Sequence, residues 1–264
     1  MAGRKFGAEV LTHFPDRVSG VVVQSQSMAT EFAQLAQQQA AQHTQYELPP
    51  EFLKEHQADQ AEGHLEASFH AHAQAFSCTW PLYILPPDMF AELDIYGTSA
   101  PLLIIKAIEP PQWNGELAEG LTLFLPFQNP INLGTTIRSA AALGAEVVIL
   151  REAVNLYHPK TLRAAGPALF KASLQQGPDL TELAQLAAQT HLPLYALALK
   201  GDNLFSFDFP ATMGLVAGRE GPGLEDIWPQ QKRLSIPMQP GVESLNAAAA
   251  MDMALAVALA SRYN

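Results

Sequence analysis

The chain has 264 residues, 48% of them apolar and only 16% charged, which suits one large or two ordinary folded domains and excludes an intrinsically disordered chain. It carries 26 acidic against 15 basic residues, a net charge of −11, and so lacks the clustered Lys and Arg that broad nonspecific nucleic-acid binding needs; any nucleic acid must bind at local patches. Cys78 is the single cysteine, which removes an intrachain disulfide and a cysteine-rich metal site and makes a reducing, cytoplasmic setting the expectation.

Residues 6–13 read as a short helix, and 18–24 as a buried strand around Val21-Val22-Val23. Glu9, His13, Asp16 and Arg17 interrupt any apolar core of a targeting segment after Arg4 and Lys5. Residues 31–76 are rich in Gln, Ala and His, of helix-forming composition broken by Pro49 and Pro50. His43, His56, His64, His70 and His72 match no standard metal-ligand spacing, so they read as solvated helix faces and no metal is expected. A strand at 83–85, a helix at 88–93 after Pro86-Pro87 and an apolar strand at 102–108 complete a first α/β module, residues 1–108. Pro110, Pro111, Gly115 and Gly120 mark 109–120 as a linker. Charge divides there too: residues 1–120 hold 5 basic and 15 acidic residues, and 121–264 hold 10 and 11.

In the second module, 121–264, strands are expected at 121–127, 146–150, 169–174, 193–199, 213–217 and 234–236. Helices are expected at 134–143, at 159–165, from the cap Asp179 to about 189, and from about 245 to 261. Apolar strands alternating with helices predict a mainly parallel α/β sheet. The apolar run 247–260 contains Asp252 and is too short to span a bilayer, so it reads as a packed helix and no membrane partner is expected.

Three segments stand out. Asn129-Pro130-Ile131-Asn132-Leu133-Gly134, followed by Arg138, lies where a strand gives way to a helix, the usual ligand edge of an open α/β sheet, with Arg138 about one turn inside the helix. An Arg there can fork onto a phosphate; the plainer reading is a turn and a surface cation. Gly218-Arg219-Glu220-Gly221-Pro222-Gly223 follows a strand and lets the backbone turn tightly beside a ligand, although a lone glycine turn is usually only a turn. Ile236-Pro237-Met238 leads to Ser244-Leu245-Asn246, where Ser244 reads as an N-cap and Asn246 as a first-turn residue within reach of a substrate hydroxyl.

Together and in this order, the segments resemble the SpoU (TrmH-like) family of the SPOUT methyltransferases, whose motifs look like N-P-x-N-x-G-x-x-x-R, G-x-E-G-x-G and I-P-M followed by S-L-N. The resemblance covers about residues 121–264. It implies an α/β domain with a trefoil knot near its C-terminus, a threading that pattern reading alone would never propose. It implies S-adenosylmethionine as cofactor, held at Gly218, Ile236, Met238 and Leu245, and a homodimer whose site draws on both subunits. It implies methyl transfer to a ribose 2′-hydroxyl of RNA, with Arg138, Asn132, Glu220, Ser244 and Asn246 as the catalytic set. Residues 3–23 and 90–107 resemble the L30e-like substrate-binding domain that precedes many family members, with 25–80 divergent; Arg4 and Lys5 would join Arg138 on the RNA. That accessory domain favours rRNA over tRNA. Where members often show Ser-Gly-Ala, this chain has Ala165-Gly166-Pro167, which puts a secondary RNA contact in question. A guanidinium is a permanent cation in proteins, so Arg138 suits electrostatic stabilisation better than proton abstraction. The alternatives are a noncatalytic RNA-binding protein that keeps the fold, and a base-modifying SPOUT enzyme; the Asn132 and Arg138 pair favours ribose chemistry.

Overall fold

The structure, a computed structural model, describes residues 4–42, 80–107, 109–218 and 232–260, with Leu224, Trp228 and Pro229 between. The chain forms two compact units, residues 1–107 and 108–264.

The first unit contains α1 (Arg4–His13), β1 (Val18–Val23), α2 (Gln26–Gln42), β2 (Leu82–Ile84), α3 (Pro87–Leu93) and β3 (Leu102–Ile105). Its sheet runs β2-β1-β3, with β1 parallel to β2 and antiparallel to β3. The valine run supplies the central strand because β-branched side chains suit a pleated, buried surface. Val22, Leu85, Phe90 and Leu102 form an apolar cluster. The buried Asp94 ends α3 and accepts from the Ser99 N–H at 2.7 Å and the Thr98 hydroxyl at 3.2 Å, which sets the turn into β3. The five histidines between 43 and 72 lie outside the described residues.

The second unit contains β4 (Gly120–Leu125), α4 (Pro130–Leu143), β5 (Glu146–Ile149), α5 (Pro159–Ala165), β6 (Ser173–Gln176), α6 (Leu180–Thr190), β7 (Leu194–Asn203), β8 (Thr212–Val216), β9 (Arg233–Ser235) and α7 (Ala247–Ala260). Six parallel strands run in the order β6-β5-β4-β8-β7-β9. β4 alternates Leu121, Leu123 and Leu125 toward one face and Phe124 toward the other. On the first face they meet Leu133, Ile137 and Ala140 of α4, Ala165 of α5, and Met251, Ala254, Leu255 and Ala258 of α7. On the second face Phe124 meets Leu180 and Leu183 of α6, with Val148, Val216 and Trp228. Burying each of these larger side chains is worth roughly 1.5–3 kcal/mol.

Three local departures have physical causes. The strand expected at 169–174 is extended only over Ser173–Gln176, because α5 breaks at Gly166 (φ +58°) and Gly166–Phe170 winds into a 3-10 helix. β7 runs on to Asn203 with an interruption in its pairing to β9 between Leu197 and Asp202. The stretch read as linker is packed: Trp113 N–H donates to the Gln176 carbonyl at 2.7 Å, Gln176 N–H returns to Pro111 at 2.8 Å, and the Trp113 ring sits edge-on to Phe124 at 5.0 Å.

Candidate active site

β4 sends the chain to β5 and β6 on one side, while on its other side β8 leads to β7 and then to β9. The carboxyl ends of β4 and β8 therefore flank the switch point where open α/β sheets bind ligands. Asn129 follows β4 and Gly218 follows β8.

Asn129 is the N-cap of α4. Its side-chain oxygen accepts from the N–H of Ile131 at 2.9 Å and of Asn132 at 3.5 Å, and Pro130 occupies the first helical position. The helix thus begins four residues earlier than the sequence pattern suggests, and Arg138 sits more than two turns in rather than one. Arg138 is exposed, and no carboxylate among the described residues is paired with it. Gly134 has a packing role: a Cβ there would lie 2.5 Å from the Thr161 carbonyl oxygen and 2.7 Å from Ala164 Cβ, so only glycine lets α5 approach α4 this closely.

Asn246, not Ser244, caps α7. Its Oδ1 accepts from Ala249 N–H at 3.1 Å and its carbonyl from Ala250 N–H at 2.9 Å. Ser244 lies two residues upstream and is exposed. The Asn246 Nδ2 donates to Oδ1 of Asn132 at 3.1 Å, and Asn132 is only 6% exposed. The structure thus brings the first and third segments together through two side-chain amides 114 residues apart. Glu220, Gly221 and Gly223 lie outside the described residues, as do the side chains of Arg4 and Lys5, which open α1 in the other unit.

A Cβ at 218 would rest 3.5 Å from the Leu197 carbonyl. Ile236, Met238 and Leu245 are half-buried, and Ile236 packs on the core. Ser235 Oγ donates to the Gly201 carbonyl at 3.0 Å, pinning the interrupted part of β7 to β9 just before Ile236. The half-buried apolar side chains of Ile236, Met238 and Leu245 have a chemistry that suits an adenosyl group. Sequence reading missed this interruption at 197–202; its signal was Gly201 inside a strand pattern.

It also missed a polar seam between α4 and α7. Asp252 faces Ser139 and Thr136, and burial pushes its carboxyl above the ordinary range while the two hydroxyls pull it back. No group of three or more His, Cys, Asp or Glu among the described residues is placed to hold a metal ion.

Residues 122–256 match the SpoU rRNA Methylase family. A 23S rRNA (uridine(2479)-2′-O)-methyltransferase of Streptomyces viridochromogenes is 35% identical over 194 residues, covering 68% of this chain and 67% of that protein. A relative named ribosomal RNA small subunit methyltransferase G 2, of Syntrophobacter fumaroxidans, is 43% identical over 66% of this chain, which spans only 34% of its length. Among solved structures, the SpoU methyltransferase AviRb of S. viridochromogenes with AdoMet aligns over 100% of this chain and 99% of its own, with a TM-score of 0.64 at 20% identity. The AdoMet-bound rRNA methyltransferase of Sinorhizobium meliloti aligns over 98% of this chain and 85% of its own, with a TM-score of 0.63 at 17% identity. A matching family model over more than half the chain, a relative covered over two thirds and a shared fold agree: the chain belongs to the SpoU rRNA methylase family.

Proposed function

We propose that this protein transfers a methyl group from S-adenosylmethionine to a ribose 2′-hydroxyl of ribosomal RNA. The observation that carries the reading is the Asn246–Asn132 bond, which closes the first and third family segments around the helix that presents Arg138. Relatives named as 23S rRNA 2′-O-methyltransferases support the reaction and the substrate class. When bound, the cofactor supplies an electrophilic methyl on a sulfonium; Gly218, Ile236, Met238 and Leu245 would hold it.

A ribose hydroxyl is a weak nucleophile and must shed its proton as it attacks. Arg138, an exposed permanent cation, would grip the adjoining phosphate and stabilise the developing alkoxide. Asn132 and Asn246 would fix the ribose, with Ser244 and Glu220 completing the network. Much of the rate would come from holding the hydroxyl in line with the methyl.

Two copies would form the working unit. The support is apolar surface on the helices that carry the site: Ile131 and Leu143 on α4 and Met253 on α7 are each more than 40% exposed. The first unit would serve as an L30e-like RNA-binding domain, and the second would carry the family's knot.

Calorimetric titration with S-adenosylmethionine, together with transfer of labelled methyl to rRNA and tRNA from cells lacking the protein, tests the reading. Binding of the cofactor and label in rRNA ribose are expected. Absence of both would leave an RNA-binding protein that keeps the fold. Arg138→Ala is expected to abolish transfer and leave cofactor affinity nearly intact; full activity in that variant would remove Arg138 from the mechanism.

A further inference from the structure

The chain is acidic, yet its charge is sorted. Residues 120–178 hold five Lys and Arg against two acidic residues, Glu146 and Glu152, while the rest of the chain holds ten against 24. From 153 to 178 there is no Asp or Glu. All five cations are exposed. Arg151 pairs with Asp179 and Glu182 at the start of α6, while Arg138, Lys160, Arg163 and Lys171 lie on α4, on α5 and just beyond it.

Their placement is set by two packed helices. Lys160 and Arg163 are three residues apart, so they share one face of α5, opposite the buried Thr161 and Ala165. Lys171 follows the 3-10 turn that continues from α5. α5 is clasped to α4 at Gly134, where its backbone leaves no room for a Cβ. Arg138 lies four residues beyond Gly134, hence on the same side of α4 and about 6 Å further along its axis. α4 and α5 pack into one core cluster of the sheet, whereas the acidic start of α6 belongs to the other. Net positive charge is therefore concentrated around α4 and α5, while residues 179–264 of the same domain hold five Lys and Arg against nine acidic residues.

We infer that Lys160, Arg163 and Lys171 form a phosphate-backbone track that delivers the RNA strand to Arg138. The inference rests on the RNA reading above. Such contacts set register and orientation rather than sequence. They explain how a protein of net charge −11 engages a polyanion.

The test is filter binding of deproteinised 23S rRNA by the full chain, from about 50 to 200 mM KCl. It compares wild type, the triple variant K160A/R163A/K171A, and Arg151→Ala, which removes the same sign of charge from the α6 side. Three lost phosphate contacts are expected to flatten the log–log salt dependence by roughly 2–3 units, at about 0.7–0.9 per contact. Calorimetric affinity for S-adenosylmethionine stays at the wild-type value, and Arg151→Ala keeps the wild-type slope. A wild-type slope in the triple variant, or an equal loss in Arg151→Ala, overturns the track. If wild type binds and methylates rRNA while the triple variant matches it, the track alone falls; if wild type binds no rRNA, the RNA reading falls with it.

Discussion

Asn246 and Asn132 share one hydrogen bond, Nδ2 to Oδ1 at 3.1 Å, and through it a helix cap becomes part of a site. The same Asn246 side chain accepts from Ala249 N–H, so its orientation is fixed from both ends. Asn246→Ala removes both interactions and is expected to cost about 1 kcal/mol of stability, as lost N-caps do, and to abolish methyl transfer. Asn246→Asp keeps the capping acceptor but turns a second acceptor toward Asn132. Its thermal midpoint should stay near wild type, while transfer falls at least roughly tenfold, equivalent to about 1.4 kcal/mol of transition-state positioning. A melting curve and a single-turnover assay on the two variants separate capping from catalysis; an active Asn246→Asp protein would show that the bond between the amides is dispensable.

Gly134 is expected to tolerate no side chain. In Gly134→Ala the new methyl meets the Thr161 carbonyl and Ala164 Cβ, and α5 must move off α4. A loss of roughly 1–3 kcal/mol is expected, as for other overpacked contacts, although alanine is the better helix former. Urea denaturation measures it. Unchanged stability would mean that the helices separate freely.

Asp252 gives a pH-dependent prediction. Its carboxyl is raised above the usual range because α7 buries it against α4. The folded chain then binds this proton more tightly than the unfolded chain, so its contribution to stability falls as pH rises from the ordinary carboxylate range through the raised folded value. At neutral pH the full cost is present. Asp252→Asn should melt higher than wild type at pH 7, and the gap should close as the pH drops below about 4, the ordinary range of an aspartic acid. A gap that persists at low pH would assign the effect to something other than the charge.

At the start of α6, Asp179 and Glu182 form a capping box and Arg151 bridges both carboxylates. Asp179→Ala should cost about 1 kcal/mol. Arg151→Ala should cost less than Asp179→Ala, because the pair is solvent-exposed, and that loss should fade in high salt. Thermal melts at two ionic strengths distinguish the two variants.

The elements of the second unit were legible because their signals are local. Pro159 and Asp179 mark helix starts, and alternating Leu121, Leu123 and Leu125 mark a central strand. The three site segments were legible as a set, through their order and residue types. Their geometry was not. That Asn246 rather than Ser244 caps α7 depends on where the helix begins, and both residues are good caps. That β7 breaks its pairing at 197–202 depends on β9, more than thirty residues away. Asp252 read as an interruption of an apolar run because only the packed pair of helices reveals Ser139 and Thr136 opposite it.

The stretch 109–120 has a further consequence. β6 is the last strand on its side of the sheet, and an uncovered strand edge is a template for another chain. Gln112 closes that edge with a parallel bridge to Gln176, and Trp113 roofs Phe124. What composition marks as a spacer covers part of this edge strand. A catalytic fragment begun at 121 would lose this cover, whereas one begun at 108 would retain it.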